Sequence, residues 1–331
     1  MCLTVRCVVF TLELFNIRKM KQILTILIFL LITNIQAQQD YSDSEITKLV
    51  LLGTGTPVAL PNRSGSSVAI IVNSMPYIID FGPGLVRKLA SVSESFGEPE
   101  TWIKGLRIKN ITRAFLTHLH SDHTTGYPDL ILTPWVHQKI GDGARDEPLE
   151  VYGPEGINKM TEHILKAYAE DIKYRLYSTQ PANNQGWRVN SHEILEEGIV
   201  YQDENVKVEA FSAPHGSWPN AWSYRFTTPD KVIVISGDTS ASDKLMKYAK
   251  GADILVHGAY SKKLLPESWH VYFSENHTTT TELANIAKQS QPKLLVLYHQ
   301  LPANVTEKIM IDEISEIYRG KVIFGNDLDK F

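Results

Sequence analysis

The chain has 331 residues, of which 43% are hydrophobic and 21% charged, and its formal net charge is −4. This composition is that of a globular protein, and it excludes the collagen-like and intrinsically disordered classes. The acidic balance gives no overall basic footprint for nucleic acid, although a local basic patch is compatible with it. The length allows one large domain or two ordinary ones.

The N-terminus combines a basic start with a short apolar run. Lys21 precedes the apolar run 23–32, and Ala37 ends the polar segment that follows. This order predicts a signal peptide within residues 1–37 and a single domain over residues 38–331, exported to the periplasm or the extracellular space. The run is short for a membrane span, so we expect no stable membrane anchor. An uncleaved anchor is the alternative.

The first 19 residues are unusual ahead of such a signal, so either Met1 or Met20 is the true start. Both cysteines, Cys2 and Cys7, lie in this leader. The mature chain is therefore expected to contain no disulfide and no thiolate metal ligand. Because the leader carries four basic side chains and one acidic one, its removal makes the remaining chain more acidic.

Strands separated by glycine turns follow the leader. A buried strand over 48–52 leads into a turn at 53–57, which lacks the lysine of a P-loop and is better explained as a tight turn beside a metal site. A hairpin follows over 66–72 and 77–80, and a helix begins near Leu85. Further strands are predicted at 113–117, 149–152, 206–212, 222–227, 231–236, 253–257, 293–298 and 321–324. Further helices are predicted at 123–138, 156–172, 240–250, 278–290 and 305–319.

This succession of strands and helices suits a layered α/β or α+β domain. The stretch 177–200 is polar and rich in turn-forming residues. We interpret it as irregular, and as an insertion near a site rather than a domain boundary.

The run from Thr117 to His123 is the most informative part of the sequence. If it leaves its strand extended, His118 and His120 point the same way and can share one ion. If the chain then turns, Asp122 and His123 face a second ion. Imidazole and carboxylate together suit zinc, iron or manganese. The alternative is a solvated histidine-rich loop.

Three further strands end in a side chain that can bind metal. These side chains are His215, Asp238 and His299. Each alone is more often a cap or a hydrogen-bonded polar residue. Together with the first run they supply ligands of types that suit two metals, placed at one edge of a sheet.

These residues resemble the metallo-β-lactamase superfamily and, within it, ribonuclease Z and the arylsulfatases of that fold. The resemblance runs from 51–57 to His299, and its supporting segments are 80–84, 151–154, 237–239 and 277–279. It implies a four-layer αββα sandwich. The motif is specific for fold and metal use but poorly specific for substrate.

The resemblance also implies roles for individual residues. Two zinc ions are implied, with iron or manganese as alternatives, the first bound by His118, His120 and His215, the second by Asp122, His123 and His299, and both bridged by Asp238. The implied nucleophile is a metal-bound hydroxide, which Asp122 helps to orient. The resemblance implies that His277 helps the leaving group to depart. The alternative for His277 is a structural place beside a helix that Thr278 and Glu282 cap.

Other residues depart from the family pattern or have two explanations. Gly258 follows His257 where ribonuclease Z-like sequences carry an acidic residue, so their proton relay is in doubt here. The aromatic segment 269–273 is either the wall of a pocket or core. Trp218 and Trp222 have the same two explanations, with packing favoured. The histidines without partners in the pattern are His137, His163 and His192.

The sequence thus predicts an exported metal-dependent hydrolase that cleaves small anionic sulfate or phosphate esters, as the arylsulfatases of this fold do. One alternative is a ribonuclease Z-like tRNA 3′ endonuclease, against which the export signal and the absence of a basic Gly/Pro-rich arm both weigh. Another is a β-lactamase-type amide hydrolase. A non-catalytic metal scaffold is disfavoured because the ligand set is complete. The resemblance allows a homodimer.

Overall fold

The computed structural model describes residues 46–136, 143–180, 182–301 and 304–331. The predicted signal peptide, its cleavage site at Ala37, the domain start at residue 38, both cysteines and His137 lie outside these residues. The segment Ile46–Phe331 forms one compact unit. Within the described ranges, no helix combines the length and the hydrophobicity needed to cross a membrane.

Two mixed sheets form the centre of the fold. In the described part of the chain, the first sheet has six strands in the spatial order β1 to β6: Thr47–Gly53, Ser67–Val72, Met75–Ile79, Arg113–Phe115, Leu149–Gly153 and Val189–Glu193. The second has seven strands, which run from β13 at one edge to β7 at the other. In chain order, β7 to β13 are Gly198–Gln202, Lys207–Ser212, Trp222–Thr227, Val232–Ile235, Ile254–Tyr260, Leu294–Leu301 and Val322–Phe324.

Helices cover the outer face of each sheet. In chain order, α1 to α9 are Leu85–Ser91, Ser121–Thr124, Tyr127–Val136, Ile157–Ala167, Ala169–Tyr177, Asp243–Tyr248, His270–Asn276, Thr280–Ser290 and Glu307–Ser315. Helices α1, α3 and α4 pack on the first sheet. Helices α6, α8 and α9 pack on the second sheet. The predicted four-layer αββα sandwich is therefore confirmed.

Strand β1 shows why the sheets lie in the middle. Leu49 and Leu51 belong to the apolar cluster between the two sheets. Val50 and Leu52 belong to the cluster beneath the helices. Because successive side chains of a strand point to opposite faces, a strand buried on both faces needs a continuous apolar run.

The predicted strands agree with the observed ones to within a few residues, whereas two predicted helices are each divided. The helix expected over 123–138 breaks at Gly126, whose N–H donates to the carbonyl oxygen of Phe81 at 2.7 Å. An added Cβ there would lie 2.4 Å from the carbonyl oxygen of Gly82, so only glycine fits. The helix expected over 156–172 divides at Tyr168 into α4 and α5.

The interpretation of 177–200 as irregular is wrong. This stretch contains β6 and the first residues of β7, which are edge strands of the two sheets, so the chain crosses here from one sheet to the other. Both strands are only half-buried, which explains the polar sequence of β6 and the exposure of Ile199 in β7. The fully buried guanidinium of Arg145 donates to the carbonyl oxygens of Gly186 and Ile111, and it thereby ties the segment before β6 to the segment before β4.

Candidate metal centre

The histidine run follows β4 in the way the sequence predicts. The backbone is extended at His120, and the short helix α2 begins at Ser121. His118 is fully buried, and its Nε2 lies 2.9 Å from Nδ1 of His120. The indole N–H of Trp218 points to the other ring nitrogen of His120, at 2.7 Å. The His120 ring therefore presents its Nδ1 to the cluster.

His215 completes the first group of ligands. It follows β8, and its Nδ1 lies 2.8 Å from the carbonyl oxygen of Asn276, which can accept a hydrogen bond. That contact leaves Nε2 free, 3.2 Å from Nδ1 of His120. The ligand atoms of His118, His120, His215 and Asp238 all lie within 4.8 Å of one another.

A second group lies beside the first. Its members are Asp122, His123 and His299. His299 Nε2 lies 3.0 Å from Asp122 Oδ2 and 3.4 Å from Asp238 Oδ2. His123 Nε2 lies 3.7 Å from Asp238 Oδ2. The Asp238 carboxylate is therefore close to both groups, as a bridging ligand would be.

The glycine turn after β1 helps to place His299. The backbone N–H of His299 donates to the carbonyl oxygen of Thr54 at 3.2 Å. Thr54 is itself held by Asp327, which accepts from its N–H and its hydroxyl. His299 has a φ of 48°, a left-handed conformation that is costly for a residue with a side chain. The turn thus lies beside the metal centre, as the sequence suggested.

Asp80 is a buried carboxylate whose role the sequence did not reveal. It follows β3, and its Oδ1 accepts from the N–H and the hydroxyl of Thr117 at 2.8 and 2.9 Å. Its Oδ2 lies 2.8 Å from Nδ1 of His123. This contact orients the ring so that Nε2 faces Asp122 and Asp238. Its sequence signal is the one shared by the other ligands, an apolar strand that ends in a polar side chain.

The buried carboxylates and imidazoles of the centre shift one another's pKa values in different directions. Burial alone lowers the pKa of His123, but the carboxylates of Asp80 and Asp238 outweigh it and raise the pKa well above its ordinary value. Burial would raise the pKa of Asp238, yet His299 and His123 hold it well below its usual range. His118 behaves oppositely, because burial and neighbouring His123 lower its pKa.

The residues present fit a metal. His123 Nε2 and Asp238 Oδ1 are buried and have no hydrogen-bond partner among the described residues. Buried polar atoms are normally satisfied, so two unsatisfied atoms within the cluster suggest a missing partner. A set of imidazole and carboxylate donors suits zinc.

His277 lies beside this centre. Its Nδ1 is 3.9 Å from Asp238 Oδ2, and burial lowers its pKa to about 4, an effect that Asp238 offsets only in part. The predicted cap of the following helix is wrong in one residue. Thr279, not Thr278, forms the capping box with Glu282, while the Thr278 hydroxyl donates to the carbonyl oxygen of Thr239.

A cavity of about 480 Å³ opens over the centre. Its polar floor contains His120, Asp122, Asp238, His277 and His299. One side is formed by Leu265, Pro266, Trp269, Tyr272 and Phe273, here called the aromatic wall. The aromatic segment predicted as either pocket wall or core therefore contributes to the wall.

The other aromatic and histidine candidates lie elsewhere. Trp218 contacts His120 but is not among the residues that line the cavity, and Trp222 is buried in β9. His257 is buried in β11 and also does not line the cavity. His163 is exposed on α4, while His192 pairs with Glu150.

We expect Asp80→Asn to lower metal affinity by roughly 10–100-fold, the range typical of residues that orient a ligand. The amide keeps an acceptor for Thr117 but loses the negative charge that holds His123. Competition with a chromogenic chelator measures the affinity. The matched control is Asp203→Asn, because Asp203 is another hydrogen-bonded carboxylate that accepts from Tyr77 and Tyr201 outside the cavity. Equal metal affinity in Asp80→Asn and the unaltered protein would contradict the orienting role.

Comparisons with known proteins agree with this architecture. The family model described as a beta-lactamase superfamily domain matches residues 77–300. A ribonuclease Z from Mycobacterium bovis is 28% identical over 294 residues, covering 86% of this chain and 97% of the relative.

Two solved structures share the fold. The metallo-beta-lactamase fold protein YhfI from Bacillus subtilis aligns with a TM-score of 0.64 at 15% identity, over 87% of this chain and 99% of the other. The short form of human tRNase Z aligns with a TM-score of 0.61 at 22% identity, over 86% and 98%. This chain therefore belongs to the metallo-β-lactamase superfamily, in its ribonuclease Z-like branch, and is a metal-dependent hydrolase.

Proposed function

We propose that this protein is a phosphodiester hydrolase of the ribonuclease Z type that works with two zinc ions. The observation that carries the proposal is the convergence of all seven predicted ligands beneath one open cavity. The chain also matches a ribonuclease Z over nearly the whole length of that relative. Iron and manganese suit the same donors and are the alternative metals.

The proposed roles follow from the two groups of side chains. His118, His120 and His215 would hold one ion, Asp122, His123 and His299 would hold the other, and Asp238 would be shared. When bound, the ions supply an activated water and polarise the ester oxygen. Asp122 lies in the cavity floor, where its carboxylate can orient the attacking water. His277 also lies there and is placed to give a proton to the leaving oxygen.

The phosphodiester of an RNA is the substrate that the relatives support, since their names are ribonuclease Z and tRNase Z. A second candidate is a small aryl sulfate or phosphate ester, as the sequence first suggested. The observation in its favour is the composition of the cavity. The residues that line it include three aromatic side chains and, among the described residues, neither lysine nor arginine.

Export is part of the proposal, and it rests on the sequence of residues 1–37 alone. An exported enzyme would meet phosphodiesters outside the cytoplasm rather than precursor tRNA. N-terminal sequencing of the protein recovered from cell fractions tests this. A start at Gln38 in the periplasmic or extracellular fraction supports export, whereas an intact leader in the cytoplasm contradicts it.

The decisive test compares rates on four substrates with metal-loaded protein starting at Gln38. They are bis-p-nitrophenyl phosphate, a 3′-extended tRNA, p-nitrophenyl sulfate and a chromogenic cephalosporin. We expect hydrolysis of the two phosphodiesters, bis-p-nitrophenyl phosphate and the tRNA, to be faster than that of the other substrates. This activity should be lost when a chelator removes the metal. A dominant rate on the sulfate ester would favour the aryl ester candidate, and a dominant rate on the cephalosporin would favour an amide hydrolase. Either result would overturn the proposal.

A further inference from the structure

The aromatic wall runs from the protein surface to the metal centre. Trp269 and Tyr272 meet edge to face, with ring centroids 5.9 Å apart at 84°. Tyr272 and Phe273 meet at 5.5 Å and 80°. Phe273 in turn lies 5.4 Å from the ring of His277, which lies close to Asp238. A ligand held at the centre would therefore have aromatic rings beside it along one side.

The wall is anchored at its base and open at its top. Phe273 packs with Tyr260 and Leu301 in a small apolar cluster. Trp269 and Tyr272, by contrast, are 52% and 47% exposed. Apolar surface that is held in place but left open to solvent marks a binding site more often than a packing defect. Since its base is fixed, the wall is preorganised for a flat partner.

The charges of the cavity restrict what this partner can be. The charged groups that line it belong to the metal centre, and the described lining residues include no lysine or arginine. Two lysines precede the wall, but Lys263 pairs with Glu313 at 3.5 Å, and neither it nor Lys262 lines the cavity. The cavity is thus suited to one anionic group at the metals and an uncharged remainder. Further phosphates would find no cation there.

The size of the cavity sets the scale of the ligand. A volume of about 480 Å³ is within the range of sites that hold one small molecule. We propose that the aromatic wall is a subsite that binds a flat aromatic group carried by the ester, either a nucleobase or another aryl group. This inference rests on the proposed function, because it assumes that a phosphoester occupies the metals. It predicts a preference for esters that carry one aromatic group.

Calorimetric binding of non-hydrolysed anions to the metal-loaded protein tests the subsite without relying on turnover. The probes are phenylphosphonate against methylphosphonate, and adenosine 5′-monophosphate against ribose 5-phosphate. We expect phenylphosphonate to bind more tightly than methylphosphonate, on the order of tenfold, because stacking on aromatic side chains is favourable. Similarly tighter binding of adenosine 5′-monophosphate than of ribose 5-phosphate identifies a nucleobase as the aromatic group. An advantage confined to the phosphonate pair identifies a smaller aryl group.

The phenyl advantage is the ratio of phenylphosphonate affinity to methylphosphonate affinity. The variant Trp269→Ala should reduce this ratio to about one while leaving methylphosphonate affinity and metal content unchanged. The matched control is Tyr177→Ala, because Tyr177 is 81% exposed on α5 and does not line the cavity. It should leave the phenyl advantage intact.

Three results would overturn the inference. The first is equal binding of phenyl- and methylphosphonate to the unaltered protein, and the second is an equal loss of both in Trp269→Ala. The third is a dimer in light scattering that Trp269→Ala dissociates, since the wall would then be an interface between two copies. Phosphodiesterase activity that persists beside any of these results would leave the proposed function standing. Loss of the proposed function would instead appear as inactivity on bis-p-nitrophenyl phosphate with the phenyl advantage intact.

Discussion

Replacing Asp238 by alanine is expected to abolish hydrolysis and to lower the bound metal content. Its carboxylate lies close to both ligand groups, and His299 and His123 keep it ionised despite its burial. Because residues that only orient a ligand already contribute about 10–100-fold to metal affinity or activity, loss of a shared ligand should reduce the rate by more than about 100-fold. Steady-state rates on bis-p-nitrophenyl phosphate and metal analysis by mass spectrometry measure both effects.

Two further variants separate the bridging role from a general loss of stability. Asp238→Asn keeps the size of the side chain but removes its charge, and it should lose metal almost as severely as the alanine variant. Asp312→Ala removes an exposed carboxylate that pairs with Lys308 on α9, so activity and metal content should be unchanged. Full activity of Asp238→Ala with two metals still bound would show that Asp238 does not bridge them.

The sequence predicted the convergence of the ligands for a physical reason. β4, β10 and β12 each run parallel to a neighbouring strand, and each is followed closely by, or contains near its C-terminal end, a ligand side chain. The carboxyl ends of parallel strands lie at one edge of a sheet, which brings Asp238 and His299 together in the second sheet. The packing of the two sheets then places His118, which follows β4 of the first sheet, beside them. Local features, such as the helix that begins near Leu85, were predictable from the neighbouring residues alone.

The features that the sequence did not predict depended on contacts between distant parts of the chain. Gly126 breaks a helix because it packs on the backbone of Phe81 and Gly82, which no local pattern records. Edge strand β6 is half-exposed and lacks an apolar run, so its sequence is typical of a loop. Edge strand β7 contains the strand-forming residues 199–201, which the prediction overlooked. The aromatic wall was ambiguous because apolar residues usually indicate burial, whereas here Trp269 remains open to solvent.

Replacing His277 by alanine should slow the hydrolysis of esters with poor leaving groups far more than that of activated aryl esters. The imidazole lies in the cavity floor, 3.9 Å from Asp238, where it can give a proton to a departing alkoxide. General acid catalysis typically contributes about 10²–10⁴-fold, and p-nitrophenolate scarcely needs it because it departs as a stable anion. Rates on bis-p-nitrophenyl phosphate and on a dinucleotide give the comparison.

The protonation state of His277 decides how it can act on the leaving group. Burial lowers the pKa of His277 to about 4, so the neutral imidazole is its resting form near neutral pH when no ion is bound. A donor of that kind must gain its proton during the reaction, and Gly258, which follows His257, supplies no carboxylate for this. His163→Ala, which removes an exposed histidine from α4, is the control and should change neither rate. If His277→Ala slows both substrates equally, the residue positions Asp238 or the substrate rather than protonating the leaving group.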